Sequence, residues 1–88
     1  MLDVSSDVRA FLAGLAPKQC KQLSVRILSL AANTEPHDAR HMAGHPGYKR
    51  LDQGEYRVIY RVDGNVVRVP AVGKRNDDEV YRKFDRSG

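Results

Sequence analysis

The chain has 88 residues, a formal net charge of +4 and a single cysteine. That length makes one domain and leaves no room for a second core. One cysteine excludes an internal disulfide, nothing matches zinc-ligand spacing, and no apolar run approaches the roughly 20 residues of a membrane span. The first residues also lack a basic-then-apolar targeting signal, so the expectation is a soluble cytoplasmic domain without metal or cofactor.

Leu2–Val4 alternates apolar and polar, as a short strand does. Ser5 or Ser6 then suits a helix cap, with Asp7 in the first turn where the helix dipole favours an acid. Val8, Phe11, Leu12 and Leu15 follow helical spacing, and Gly14 and Pro17 bracket the end. Pro17 fits the first position of a second helix, with Cys20, Leu23, Ile27, Leu30 and Ala31 on one face and Val25 and Leu28 widening the stripe. Asn33 and the approach to Pro36 stop it, which predicts two antiparallel helices joined by a very short turn.

After Gly47 the period changes from helical to alternating. Residues 48–52 read as a strand, turned by Gln53-Gly54 into Tyr56-Arg57-Val58-Ile59-Tyr60-Arg61-Val62. Asp63-Gly64 is a hairpin turn, and residues 65–72 return as a valine-rich strand. Pro70 lacks an N–H, so that strand is expected at an edge or with a local irregularity. Residues 77–84 suit a last helical turn, and 85–88 a frayed tail. The predicted fold is α+β: an N-terminal helical hairpin on a small, mostly antiparallel sheet, closed by a short C-terminal helix.

Charge is divided unevenly. Residues 1–39 hold four basic and four acidic side chains, whereas 40–88 hold eleven basic against seven acidic. Alternation puts Arg57, Ile59 and Arg61 opposite Tyr56, Val58 and Tyr60, and the tyrosine–valine face is the better cover for the helices. The arginine face is then open at least in part, with Arg50 on the neighbouring strand and Lys74-Arg75 past the next. Guanidinium forks and lysine point charges so arranged suit phosphates. A nucleic acid, or an acidic protein competing for the same surface, is the partner class implied. The alternative is a solvated basic face balanced by Asp52, Glu55 and Glu79.

His37, His41 and His45 are spaced by four, but Pro36, Gly44 and Pro46 disturb a helix there. They read as loop positions ahead of a catalytic histidine, and a metal site ranks last. Cys20 reads as packing on its helix stripe.

From 38 to 81 the order of motifs resembles the RelE branch of the RelE/ParE toxin superfamily. It runs Gly47-Tyr48-Lys49-Arg50-Leu51, then Gly54-Glu55-Tyr56-Arg57-Val58-Ile59-Tyr60-Arg61-Val62, a hairpin, and Gly73-Lys74-Arg75 followed by Glu79-Val80-Tyr81. The resemblance implies a toxin of a type II toxin–antitoxin pair that cuts mRNA in the ribosomal A site, so its partners are the ribosome, mRNA and a cognate antitoxin. In such enzymes the substrate's 2′-hydroxyl attacks the adjacent phosphate and a 5′-hydroxyl leaves. The family's phosphate-stabilising arginine falls on Arg57, the arginine serving the leaving oxygen on Arg75, and the base-stacking aromatic on Tyr81. Lys74, Arg61 and Tyr48 are implied to bind RNA. The family strand before the turn carries two alternating lysines, where this chain has Lys49-Arg50 side by side. Arg50 matches the second lysine, and an arginine is a poor base. The base role then passes to Lys49 or Tyr48, or catalysis rests on positioning and charge. Two other functions stay open on this fold: a ParE-like inhibitor of DNA gyrase, and a non-catalytic member that binds only its antitoxin.

Overall fold

A computed structural model describes residues 1–75 and 79–87, for Arg86 and Ser87 the backbone only. Strand β1 (Leu2–Val4) leads into helix α1 (Ser6–Ala13) and helix α2 (Pro17–Ala32). Strands β2 (Arg40–His41), β3 (Tyr48–Gln53), β4 (Tyr56–Asp63) and β5 (Val66–Lys74) follow, and α3 (Glu79–Ser87) closes the described chain. The Ser5 hydroxyl caps α1 by accepting from the Val8 amide at 3.2 Å, and Pro17 starts α2 where its missing N–H does no harm.

The sheet order is β1-β5-β4-β3-β2, with only β1 parallel to its neighbour. Its two faces are covered differently. On one, Val8, Leu23, Ile27 and Leu30 of the helices pack on Leu51, Val58, Tyr60, Val67, Val69 and Val72. On the other, Val80 and Phe84 of α3 close over Ile59, Ala71 and Met42. The tyrosine–valine face thus lies under the helical hairpin, as alternation predicts. The arginine face is open only at its ends, because α3 occupies its middle.

Three other expectations change. Val25 and Leu28 are 58% and 60% exposed and Ala31 also faces outward, so the buried stripe of α2 is only Leu23, Ile27 and Leu30. Residues 85–87, expected to fray, continue α3; the expected helix start at 77 and 78 lies outside the described residues. Arg40–His41 adds an edge strand too short to leave a periodic signal.

Pro70 marks an irregularity rather than a sheet edge. Strand β5 runs between β1 and β4, and the β4–β5 register shifts between Ile59 and Arg61. An extra residue in one strand reverses its alternation from that point on. Val67 and Val69 face the helical hairpin, yet beyond Pro70 it is Val72 that does so, while Ala71 turns to α3. Gly73, paired with Arg57, is thereby carried onto the arginine face.

Candidate nucleic-acid interface and active cleft

Antiparallel pairing sets Tyr48 beside Arg61, Arg50 beside Ile59 and Asp52 beside Arg57 on one face of the sheet. Lys49, paired with Tyr60, is on the other. Helix α3 reaches the Arg57 end of this face because Gly73 lets it come close. A Cβ built on Gly73 would stand 3.0 Å from the Val80 nitrogen and 3.1 Å from its Cα. The Glu79 carboxylate accepts from the Lys74 amide at 3.1 Å, fixing the start of α3 and, two residues on, Tyr81.

At that end lies a cleft of about 430 Å³, bounded by Arg50, Arg57, Tyr81 and the β2–β3 turn with His45. The Arg57 Nε donates to Asp52 at 2.8 Å and its Nη1 donates to the Tyr81 hydroxyl at 2.7 Å. Its guanidinium carbon stands 5.7 Å from the Tyr81 ring centroid. Nη2 is only weakly engaged, 3.5 Å from Asp52, which leaves it free to meet a phosphate oxygen. Arg75 approaches the same carboxylate, Nη1 to Oδ2 3.5 Å. The hydrogen bond from Arg57 holds the Asp52 carboxyl below the usual carboxylate range, against the opposing effect of burial. The same bond raises the Arg57 pKa, so its charge is permanent.

Of the eight side chains singled out from sequence, Arg50, Arg57 and Tyr81 line this cleft, and Arg75 stands outside the lining, linked to Arg57 through Asp52. The other four do neither. Lys49 faces the helical side and is paired with Glu35. Lys74, in register with Tyr56, falls on that side too. Arg61 lies beyond buried Ile59, 5.1 Å from the Tyr48 ring centroid and bonded to Asp63 at 3.4 Å. The Tyr48 ring meets Phe84 edge to face at 4.8 Å, as part of the packing under α3. Asp52, which from sequence alone only balances surface charge, is the carboxylate that both arginines share. Its spacing from Arg57 across the turn was the available signal.

A larger groove of about 620 Å³ lies outside α2, along Lys18, Lys21, Val25, Arg26 and Gln53, and holds none of these residues. Among the described residues no group of three or more His, Cys, Asp or Glu side chains is placed to hold a metal ion. Partly buried Cys20 has its Sγ 3.9 Å from the Ser24 hydroxyl. No described helix is long and apolar enough to cross a membrane.

Residues 5–79 match the family model described as the ParE toxin of the type II toxin–antitoxin system parDE. No curated protein matches the chain. Among solved structures, a mutant of the E. coli toxin RelE in the free state is similar at 22% identity, over 98% of this chain and 94% of that one, with a TM-score of 0.78. RelE in the intact E. coli RelBE toxin–antitoxin complex matches at 22% identity and TM-score 0.72, over 86% and 96%. The antitoxin–toxin complex RelB-RelE of Methanococcus jannaschii matches at 19% and 0.69, over 93% and 98%.

Proposed function

The chain belongs to the RelE/ParE superfamily of type II toxins, and from that premise we propose that it is a ribosome-dependent endoribonuclease acting on mRNA in the ribosomal A site. One observation carries the reading. Arg57, Tyr81 and Arg50 line a single cleft, Arg75 approaches the Asp52 carboxylate beside Arg57, and Arg57 is oriented from two sides by Asp52 and Tyr81.

In this reading the mRNA bends so that a 2′-hydroxyl lies in line with its own phosphate. Arg57 meets the charge that builds on the pentavalent phosphorus, which is usually the largest catalytic contribution. Arg75 serves the leaving 5′-oxygen, and Arg50 holds a flanking phosphate. Tyr81 stacks on a base, worth roughly 1–3 kcal/mol. No metal or cofactor is needed. An antitoxin would silence the toxin with a segment that supplies carboxylates to the same arginines or displaces α3; the RelBE and RelB-RelE structures are complexes of this kind of pair.

The test is primer extension on mRNA translated in a reconstituted system, with wild type, Arg57→Ala and Arg75→Ala. Cuts that require ribosomes and vanish in both variants are expected. The second reading, a gyrase-inhibiting toxin, draws on the ParE designation of the matching family model. Loss of supercoiling activity without RNA cleavage would establish it instead.

A further inference from the structure

The ribonuclease reading leaves one role empty, the group that takes the proton from the attacking 2′-hydroxyl. Resting on that reading, we propose that His45 is this proton acceptor. Three observations meet on it.

The first is elimination within the cleft. Arg50 and Arg57 do not release protons at neutral pH. The Tyr81 hydroxyl already accepts from Arg57. Lys49 is on the far face with Glu35. His41 also borders the cleft, but it pairs with Lys49 in register and lies close enough to act on the Glu35 carboxylate. Among the described lining residues, His45 remains. Histidine is the side chain suited to proton exchange near neutrality.

The second is its placement. His45 sits in the β2–β3 turn, on the same side as Arg50 and Arg57, with its ring edge to face against Phe84 at 5.0 Å between centroids. Phe84 belongs to α3, the helix that delivers Tyr81. One helix therefore positions the base and the stacking ring together.

The third is the rigidity of the turn. The His45 amide donates to the Met42 carbonyl at 3.2 Å and its carbonyl accepts from the Tyr48 amide at 3.1 Å. Gly44 and Gly47 take φ of 78° and 86°, a conformation that side chains with a Cβ resist. Met42 is buried beneath, in the same cluster as Phe84.

In the step itself the 2′-hydroxyl gives its proton to a ring nitrogen of His45. The O2′–P bond forms as the P–O5′ bond breaks, leaving a 2′,3′-cyclic phosphate and a 5′-oxygen that takes a proton from water. The imidazolium then returns its proton to solvent.

The experiment is single-turnover cleavage of mRNA on programmed ribosomes by wild type, His45→Ala and His45→Gln, with circular dichroism melts as the control for folding. Both variants should melt with the wild type and cleave about 100-fold more slowly. Added imidazole should restore His45→Ala at least tenfold and leave Arg57→Ala unchanged. A 5′-bridging phosphorothiolate at the scissile link, whose leaving group needs no proton, should leave His45→Gln equally slow relative to wild type. Variants within threefold of wild type, a loss that imidazole does not repair, or full recovery on the thio substrate would each overturn the assignment while the ribonuclease reading stands. A wild type that cuts no RNA on the ribosome removes that reading, and this inference with it.

Discussion

Asp52 is the carboxylate that Arg57 and Arg75 share, so on the proposed function it bears on both RNA binding and cleavage. It neutralises part of the charge of Arg57 and Arg75, yet its bond to the Arg57 Nε is what orients the guanidinium toward Tyr81. Asp52→Asn should therefore tighten RNA binding several-fold at low salt, because one negative charge is gone. It should also slow single-turnover cleavage about tenfold, because a charge-assisted bond is lost. Filter binding and quenched-flow cleavage separate the two effects; weaker binding with unchanged cleavage would show that Asp52 does neither. The pH dependence follows from the depressed Asp52 carboxyl. A carboxyl lowered by folding stabilises the fold above its unfolded pKa of about 4, and that stabilisation disappears as pH falls through the lower folded value. The stability gap between wild type and Asp52→Asn is expected to be full from pH 5 to 7 and to close below about pH 4. Urea unfolding at several pH values measures it.

At the scale of elements, two contacts hold the working parts in place. Gly73 lets α3 sit on β5 with Val80 in the space a side chain would fill. Gly73→Ala should push α3 outward, cost about 1–3 kcal/mol as overpacking does, and lower cleavage by moving Tyr81. A melting temperature equal to wild type would show that the helix has slack. The second contact is the Tyr60 hydroxyl, which donates to the Thr34 carbonyl at 3.0 Å and ties the segment after α2 to the buried centre of β4. Tyr60→Phe is expected to lose about 1 kcal/mol, with little change in cleavage, since Tyr60 is on the opposite face from Arg57. Chemical denaturation and the cleavage assay test the two halves of that statement. Burial also raises the Tyr60 phenol, so its share of stability is present below its unfolded pKa, near 10, and fades as pH rises through the higher folded value.

For the molecule as a whole, a sheet covered on both faces by so short a chain leaves Arg50, Arg57 and Arg61 accessible only where α3 does not cover their face. The affinity for single-stranded RNA should then reflect Arg50, Arg57 and Arg75 more than the total charge. Three phosphate contacts predict a slope of about −2 in a plot of log affinity against log salt. A slope near zero would mean that the cleft does not engage phosphates. An acidic antitoxin segment that binds only the folded state should raise the melting temperature with the logarithm of its concentration once that exceeds Kd.

Local physics was enough to delimit the two N-terminal helices and the central hairpin. Helical spacing around Val8 and Leu23, the Ser5 cap, the Asp63-Gly64 turn and the alternation through Arg57 each depend on neighbours a few residues away, and each is where it was expected. The basic half of the chain was legible from composition, whereas Arg57, Arg75 and Tyr81 were singled out by the resemblance to the RelE branch. Only the tertiary structure decided which of those cations lie together. Facing is set by register, and register across β4 and β5 depends on a shift that Pro70 hints at without giving its phase. That shift carries Gly73 to the arginine face, and Gly73 admits α3. Helix α3 then splits the face, leaving Arg61 at one end and Arg57 with Tyr81 at the other, while the β2–β3 turn with His45 and Tyr48 packs on Phe84 between them. Sequence alone established a basic face; long-range pairing turned one end of it into a cleft.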